Sequence, residues 1–185
     1  KSTMDLGDFP LSGWGPPVEG MVDSYGPRRI VLDKILVDAA VDAGAEFREG
    51  FTVDEILVAD GRVPGVRGRD QGGSPVTEDA KIVIGADGKH SLLARAVQAP
   101  EYNAVPSLSC FDYTYWSGVP VDDYEDYWPG RKFIMPIPTN DDITLIVMAW
   151  PRDQFHTIRA NIEKNYMDTI DLVPGLAERV REGHR

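Results

Sequence analysis

The chain has 185 residues, 42% of them hydrophobic, which is enough for one ordinary domain or for one domain and part of another. Its 19 Lys and Arg against 30 Asp and Glu give a formal net charge of -11, and this charge argues against a nucleic-acid partner. The single cysteine, Cys110, cannot form an internal disulfide, so we expect a reducing, cytoplasmic location. The longest nearly apolar run, residues 143–150, is too short to span a bilayer, and we expect no membrane span.

The chain begins with a Gly- and Pro-rich stretch and continues into a helix. Residues 1–27 show no periodic pattern, which predicts a loop. Residues 29–43 place their apolar side chains at helical spacing with charged side chains opposite, and Gly44 follows at the position of a left-handed C-cap. We therefore expect a helix there, followed by a short strand at residues 45–48.

A small antiparallel meander is predicted next. Asp60-Gly61 lies between two β-forming segments, 52–59 and 62–69, and this dipeptide is a strong hairpin signal. A third extended segment near Val76 completes the meander.

The segment 85–91, Gly-Ala-Asp-Gly-Lys-His-Ser, carries the most specific chemistry in the sequence. A β-forming run at 81–84 precedes it and helical spacing follows it, which is the element order of a nucleotide-binding α/β domain. Asp87 can accept hydrogen bonds from a ribose or from turn amides, and Ser91 suits a helix N-cap. An ordinary Asp-Gly turn before a capped helix explains the same residues, so the segment alone leaves both interpretations open.

Past residue 100 the pattern changes to long strands followed by helices. Extended segments at 107–119, 131–137 and 143–150 precede helical spacing at 154–167 and 175–181. We therefore place a boundary near Pro100 and expect an antiparallel sheet that carries helices.

Aromatic residues are concentrated in this second part, since residues 101–130 hold eight of the chain's 17 aromatics and no Lys or Arg. Phe111, Tyr113 and Tyr115 alternate onto one face of a strand, and Met135 on the next strand aligns with them. Such a face can form the wall of an apolar pocket, which makes these four residues candidate substrate contacts. They fit an ordinary core beneath the C-terminal helices equally well.

Several other sites have no support in the sequence. It contains no G-x-G-x-x-G, no P-loop lysine and no G-x-S-x-G motif. The three histidines lack metal-ligand spacing, so we expect no metal site. No residue stands out as catalytic.

Arg28-Arg29, the helix that ends at Ala43-Gly44-Ala45, the hairpin and residues 83–91 follow one another in a distinctive order. Over residues 28–97 this order and spacing resemble the middle of the flavin-dependent monooxygenases of the p-hydroxybenzoate hydroxylase type. The resemblance implies an α/β (α+β) fold. It assigns residues 1–99 to a partial FAD-binding, Rossmann-like domain with a β-meander that lacks the G-x-G-x-x-G unit. Residues 100–185 become a substrate-binding antiparallel sheet with helices, truncated at the C-terminus.

The resemblance also implies cofactors and their contacts. Arg29 is expected near the FAD pyrophosphate, with Arg28 as the weaker alternative, and Asp87-Gly88 serves both FAD and NAD(P)H. Many family members carry an arginine three residues after the motif serine, whereas Ala94 stands there in this chain. On this interpretation the chain is an internal fragment that is inactive and without FAD, and it self-associates through exposed strand edges.

The activity implied is NAD(P)H-dependent hydroxylation of an aromatic or other apolar small molecule through a flavin hydroperoxide. The same scaffold serves flavin-dependent isoprenoid reductases and halogenases, which stay open as alternatives. A non-enzymatic binding domain that uses the same sheet is the third class.

Overall fold

Two units with separate sheets make up residues 1–7 and 9–185, which this computed structural model describes. The sheet unit comprises Lys1–Ile35 and Pro106–Arg185, and the meander unit comprises Leu36–Val105. The strands are β1 Ser2–Asp5, β2 Pro10–Gly13, β3 Thr52–Ala59, β4 Arg62–Arg69, β5 Pro75–Asp79, β6 Ser109–Ser117, β7 Tyr124–Tyr127, β8 Phe133–Pro138 and β9 Ile143–Pro151. The α-helices are α1 Arg29–Asp42, α2 Leu92–Ala96, α3 Phe155–Ala160, α4 Ile162–Ile170 and α5 Pro174–Glu182.

The sheet unit is built on a mixed sheet with the strand order β2-β1-β7-β8-β9-β6. β1 runs parallel to β7, and the other neighbouring pairs are antiparallel. The prediction that residues 1–27 form only a loop is therefore wrong, because β1 and β2 form a hairpin at the edge of this sheet. Their strands are four residues long and mostly exposed, so they carry no alternating apolar pattern.

Helices α3 to α5 cover one face of the sheet and enclose the core. The largest fully buried core side chains include Trp150, Tyr166 and Met148. Their polar atoms are satisfied, since the indole Nε1 of Trp150 donates to Thr169 Oγ1 at 3.0 Å and the Tyr166 hydroxyl donates to the Ile146 carbonyl at 3.2 Å. Buried polar groups without such partners destabilise a core, and these bonds remove that cost.

The helical pattern at 154–167 does not form one continuous helix. A 3-10 turn at Arg152–Gln154 leads into α3, and Asn161 separates α3 from α4 with φ -149° and ψ 71°. The Asn161 side chain accepts a hydrogen bond from the Lys164 amide at 3.3 Å and so acts as the N-cap of α4. Asparagine is among the preferred N-cap residues, which explains why the helix restarts there.

The meander unit contains the predicted hairpin and third strand. β3 and β4 span the predicted residues, and Asp60 and Gly61 both have positive φ, 49° and 72°, as a type I′ turn requires. β5 pairs antiparallel with β4. Helix α1 begins in the sheet unit and ends in the meander unit, and Gly44 follows it with φ 98°, which confirms the predicted left-handed C-cap.

Two short strands predicted in the first half are absent. Residues 45–48 and 81–84 adopt no strand, and the side chains of Ile82 and Ile84 are 79% and 84% exposed. A strand needs a hydrogen-bonded neighbour, and no segment among residues 1–7 and 9–185 pairs with either stretch. β-forming composition alone was therefore insufficient at these two places.

Candidate cofactor and substrate sites

The Asp-Gly turn at residues 85–91 is held in place by its own hydrogen bonds. Asp87 Oδ2 accepts from the Leu92 amide at 2.6 Å, and Ser91 Oγ accepts from the Ala94 amide at 3.0 Å, which confirms Ser91 as the N-cap of α2. The Ser91 hydroxyl and then the Leu92 amide lower the pKa of Asp87 below its ordinary value. Asp87 is therefore a fixed carboxylate at neutral pH.

The two glycines of this turn have different roles. A Cβ at Gly85 would lie 2.9 Å from Leu93 Cδ2 and 3.1 Å from Leu93 Cβ, so Gly85 packs closely against α2 and a larger residue there would displace the Leu93 side chain. Gly88 has φ +79°, and a Cβ there would meet no atom within 4 Å. The backbone at Gly88 is thus bare and open to solvent. Next to the Asp87 carboxylate, this open backbone fits the hydroxyl-bearing part of a nucleotide such as FAD, which needs acceptors and close approach.

The Asp87 carboxylate also provides a test of the turn. Replacing Ser91 by alanine is expected to raise the pKa of Asp87 toward its ordinary value, because the hydrogen bond from the Ser91 hydroxyl is the largest cause of the lowered pKa. A depressed pKa stabilises the fold above the pKa of the unfolded chain, and this stabilisation is lost as the pH falls through the folded pKa. NMR titration of the Asp87 carboxyl carbon in both proteins measures the shift. An unchanged pKa in Ser91→Ala would contradict the hydrogen bond.

The two arginines at the start of α1 have different surroundings. The Arg29 side chain is 81% exposed and binds Asp33 of the same helix through Nε and Nη2, at 2.8 and 2.9 Å. The Arg28 side chain is only 21% exposed and forms an ion pair with Asp141 in the turn between β8 and β9. The Arg28 amide donates to Asn140 Oδ1 at 3.0 Å. Arg28 therefore joins the incoming chain to the sheet, whereas the guanidinium of Arg29 is accessible to an anion.

The aromatic side chains Phe111, Tyr113 and Tyr115 of strand β6 lie on the face of the sheet that the C-terminal helices leave uncovered. The register joins three rows across β6, β9 and β8: Phe111–Ala149–Phe133, Tyr113–Val147–Met135 and Tyr115–Leu145–Ile137. We call these nine residues the open face. Within it the side chains of Phe111, Tyr113 and Tyr115 are 64%, 61% and 41% exposed, whereas their neighbour Trp116 is 6% exposed in the core.

This arrangement shows on which side of the sheet the aromatic side chains of β6 lie, and their role as substrate contacts stays a prediction. The predicted alignment of Met135 with Phe111, Tyr113 and Tyr115 on one face is present, but β9 lies between their strands, so β8 is not the adjacent strand. The interpretation of these side chains as core beneath the C-terminal helices is wrong. The reason is that the opposite residues of the same strands, such as Ile134 and Ile146, are the fully buried ones.

One cleft brings members of the two predicted groups together within the sheet unit. Its volume is about 540 Å³, and its lining includes Arg28, Arg29 and Tyr115. A predicted cofactor contact and a predicted substrate contact therefore share one concave surface. Asp87 and Gly88 belong to the meander unit.

Trp128 and Asp126 lie next to the open face, and the sequence did not predict either of them as a site residue. The Trp128 ring lies 4.7 Å from the Phe133 ring, centroid to centroid. Asp126 lies in β7, and its Oδ1 is buried with no hydrogen-bond donor among the residues described. Strand β7, Tyr-Glu-Asp-Tyr, has no apolar alternation, so the only signal available was the local density of aromatic residues.

Residues 1–7 and 9–185 meet the requirements of neither a metal site nor a membrane-spanning helix. No cluster of three or more His, Cys, Asp or Glu side chains in these residues is placed to hold a metal ion. No helix in the same part of the chain is long and apolar enough to cross a membrane.

The order of helix, β-meander, Asp-Gly turn and antiparallel sheet is that of an FAD-binding domain. Residues 28–172 match the family described as FAD binding domain, and the chain belongs to that family. This match confirms the resemblance inferred from residues 28–97 and the mixed α/β fold class.

Individual relatives cover part of the chain or exceed it in length. Digeranylgeranylglycerophospholipid reductase 2 of Methanopyrus kandleri is 38% identical over 121 residues, which are 60% of this chain and 30% of that protein. The myxobacterial chondrochloren halogenase is 18% identical with a TM-score of 0.79, over 100% of this chain and 44% of that one. A probable FAD-dependent monooxygenase from Pseudomonas aeruginosa is 19% identical with a TM-score of 0.55, over 83% and 42%. The chain thus spans less than half the length of these proteins, and the two structures show a shared fold only.

Proposed function

We propose that the chain is part of an NAD(P)H-dependent FAD monooxygenase that hydroxylates an aromatic or other apolar small molecule. The observation that carries this proposal is the open face. Three rows of apolar and aromatic side chains lie on the side of the sheet opposite the C-terminal helices, and Phe111, Tyr113 and Tyr115 are exposed there. Contiguous apolar surface of this kind is typical of ligand sites.

The proposed contacts divide between the two units. In the meander unit, Asp87 supplies an acceptor for a ribose hydroxyl and Gly88 allows the nucleotide to approach the backbone. In the sheet unit, Arg29 supplies the cation for a pyrophosphate, and Phe111, Tyr113, Tyr115 and Met135 contact the substrate. In this proposal residues 1–99 contact the cofactor and residues 100–185 contact the substrate.

FAD, when bound, supplies the electron transfer from NAD(P)H and the activation of dioxygen. The residues of this chain then have three tasks. The open face orients the substrate by apolar contact and by ring stacking, with rings such as Tyr113 and Tyr115, whose centroids lie 6.0 Å apart at 82°. It also excludes water from the reacting atoms. Arg29 offsets negative charge on the cofactor.

A flavin-dependent isoprenoid reductase is the second candidate. Its support is the 38% identity to a reductase whose name specifies a digeranylgeranyl lipid, and an extended apolar face also suits an isoprenoid chain. A halogenase is the third candidate because the fold is shared with one.

A single product analysis separates these candidates. We expect the full-length protein, supplied with FAD, NAD(P)H and ¹⁸O₂, to incorporate one ¹⁸O atom into an apolar phenol while it oxidises one NAD(P)H. Anaerobic saturation of a geranylgeranyl double bond would establish the reductase instead, and a product that requires halide would establish the halogenase. If the protein binds no FAD and oxidises no NAD(P)H with any substrate, the enzyme proposal is wrong.

A further inference from the structure

Asp126 is a carboxylate on the same side of the sheet as the open face. Tyr127 pairs with the core residue Ile134 across β7 and β8 and contacts the core, so it lies on the helix-covered side. Because side chains alternate along a strand, Asp126 points to the opposite side, toward that of Phe133 and Met135. In the neighbouring strand β1, Met4 pairs with Asp126.

The two acidic residues of β7, Glu125 and Asp126, differ in the hydrogen-bond donors that reach them. Glu125, on the helix-covered side, accepts two hydrogen bonds from Arg179, at 3.1 Å to Oε1 and 2.6 Å to Oε2, and a third from the Tyr127 hydroxyl at 2.7 Å. Asp126 Oδ1 is buried and has no donor among residues 1–7 and 9–185. Burial raises the pKa of Asp126 above its ordinary value, as expected for a desolvated carboxyl group without a cation.

An unpaired buried carboxylate oxygen costs free energy that the fold recovers only when a donor reaches it. The chain provides donors to Glu125 one residue earlier, yet the described residues, 1–7 and 9–185, provide none to Asp126 Oδ1. Met4 pairs with Asp126 on β1, and the register of β7 with β8 puts Met135 on the same side of the sheet. The Asp126 side chain as a whole is only partly buried, so a ligand that covers this surface can bring a donor to its carboxyl group.

We propose that Asp126 is the polar anchor of the open face and accepts a hydrogen bond from a hydroxyl or N–H group of an otherwise apolar ligand. This inference rests on the proposed function, which makes the open face the substrate wall. The apolar part of the ligand then lies over Met135, Val147 and Tyr113, which form one row of the sheet. Asp126 is a specificity-determining residue in this arrangement, because it selects ligands that carry a donor.

The strand order also sets the size of the ligand. β7, β8, β9 and β6 are consecutive neighbours in the sheet, so three strand spacings separate Asp126 from Tyr113. At about 4.8 Å per spacing, the ligand extends over about 14 Å from its donor group to the far aromatic ring. A single small ring leaves part of this row uncovered, and an alkyl- or aryl-substituted ring fills it.

The test compares 4-pentylphenol with 4-pentylanisole, its methyl ether, in which a methyl group replaces the donor hydrogen. Calorimetric titration of the full-length protein is expected to give at least about tenfold tighter binding of the phenol, the ratio typical of a hydrogen bond to a charged group. Asp126→Leu is expected to abolish this preference and to keep the affinity for the anisole. Asp126→Asn, which retains an acceptor oxygen, is expected to keep part of the preference. Asp168→Leu, which changes an exposed aspartate on α4, is the matched control and is expected to behave as the wild type.

Each outcome of this titration tests either the role of Asp126 as the polar anchor or the role of the open face as the substrate wall. Equal binding of the two ligands by the wild type overturns the anchor and leaves the open face as the substrate wall. A preference that persists in Asp126→Leu also overturns the anchor, since the acceptor is then elsewhere. If neither ligand binds, the open face is not the substrate wall and both proposals fail. A urea unfolding curve for Asp126→Leu is expected to show no loss of stability, because the substitution removes an unsatisfied buried oxygen.

Discussion

Replacing Trp150 by alanine is expected to lower the free energy of unfolding of the sheet unit by about 3–5 kcal/mol, the range for large aromatic side chains in a core. Trp150 is 1% exposed on the helix-covered side of β9, and its indole donates to Thr169 on α4. The alanine leaves a cavity between sheet and helices and removes that hydrogen bond. Chemical denaturation in urea, followed by circular dichroism, measures the change.

Trp14 provides the matched control for this substitution. Its side chain is 79% exposed, so Trp14→Ala is expected to change the free energy of unfolding by no more than about 0.5 kcal/mol. Trp150→Phe keeps most of the volume and is expected to lie between the two. A similar loss in Trp14→Ala and Trp150→Ala would show that the core is not where the structure places it.

Placing a charge in the centre of the open face is expected to abolish apolar binding while the fold is retained. Val147 lies between Tyr113 and Met135 in the middle row. A glutamate there has to be desolvated when an apolar ligand covers it, at a cost of about 2 kcal/mol or more. The dissociation constant of 4-pentylphenol is therefore expected to rise at least about 30-fold in Val147→Glu, as measured by calorimetry.

Val58 in β3 supplies the control for this second substitution. It is a strand valine that is 53% exposed, in the meander unit, so Val58→Glu introduces the same charge away from the open face. We expect wild-type affinity in this variant and similar thermal unfolding in both. Unchanged binding by Val147→Glu would mean that apolar ligands do not use the open face.

The elements that sequence reasoning predicted well are those whose signals are local. The β3–β4 hairpin depends on Asp60-Gly61, which adopt positive φ on their own account, and α1 ends where Gly44 can take a left-handed conformation. The Ser91 cap likewise needs only the amide of Ala94, three residues away. These interactions are complete within a few residues, so the pattern of residue types is sufficient to predict them.

The errors arise where an element depends on a distant partner. β1 exists because it pairs with β7, more than 100 residues later in the sequence, and neither strand has an apolar alternation of its own. The run at 81–84 has strong β-forming composition, yet it forms no strand among the described residues because no neighbouring strand accepts its hydrogen bonds. The residue composition of a segment shows whether it can form a strand, and pairing with a neighbouring strand determines whether it does.

By itself the sequence determined the family resemblance, the mixed α/β class and the alternation that puts Phe111, Tyr113 and Tyr115 on one face of a strand. Only the tertiary structure decided that this face is opposite the C-terminal helices, that β9 lies between β6 and the strand of Met135, and that Asp126 joins it with an Oδ1 that has no donor among the described residues. Alternation is a property of the backbone of a single strand, and it is identical for a buried and an exposed face. Which face is covered depends on where the helices pack, and that is a matter of contacts between residues far apart in the chain.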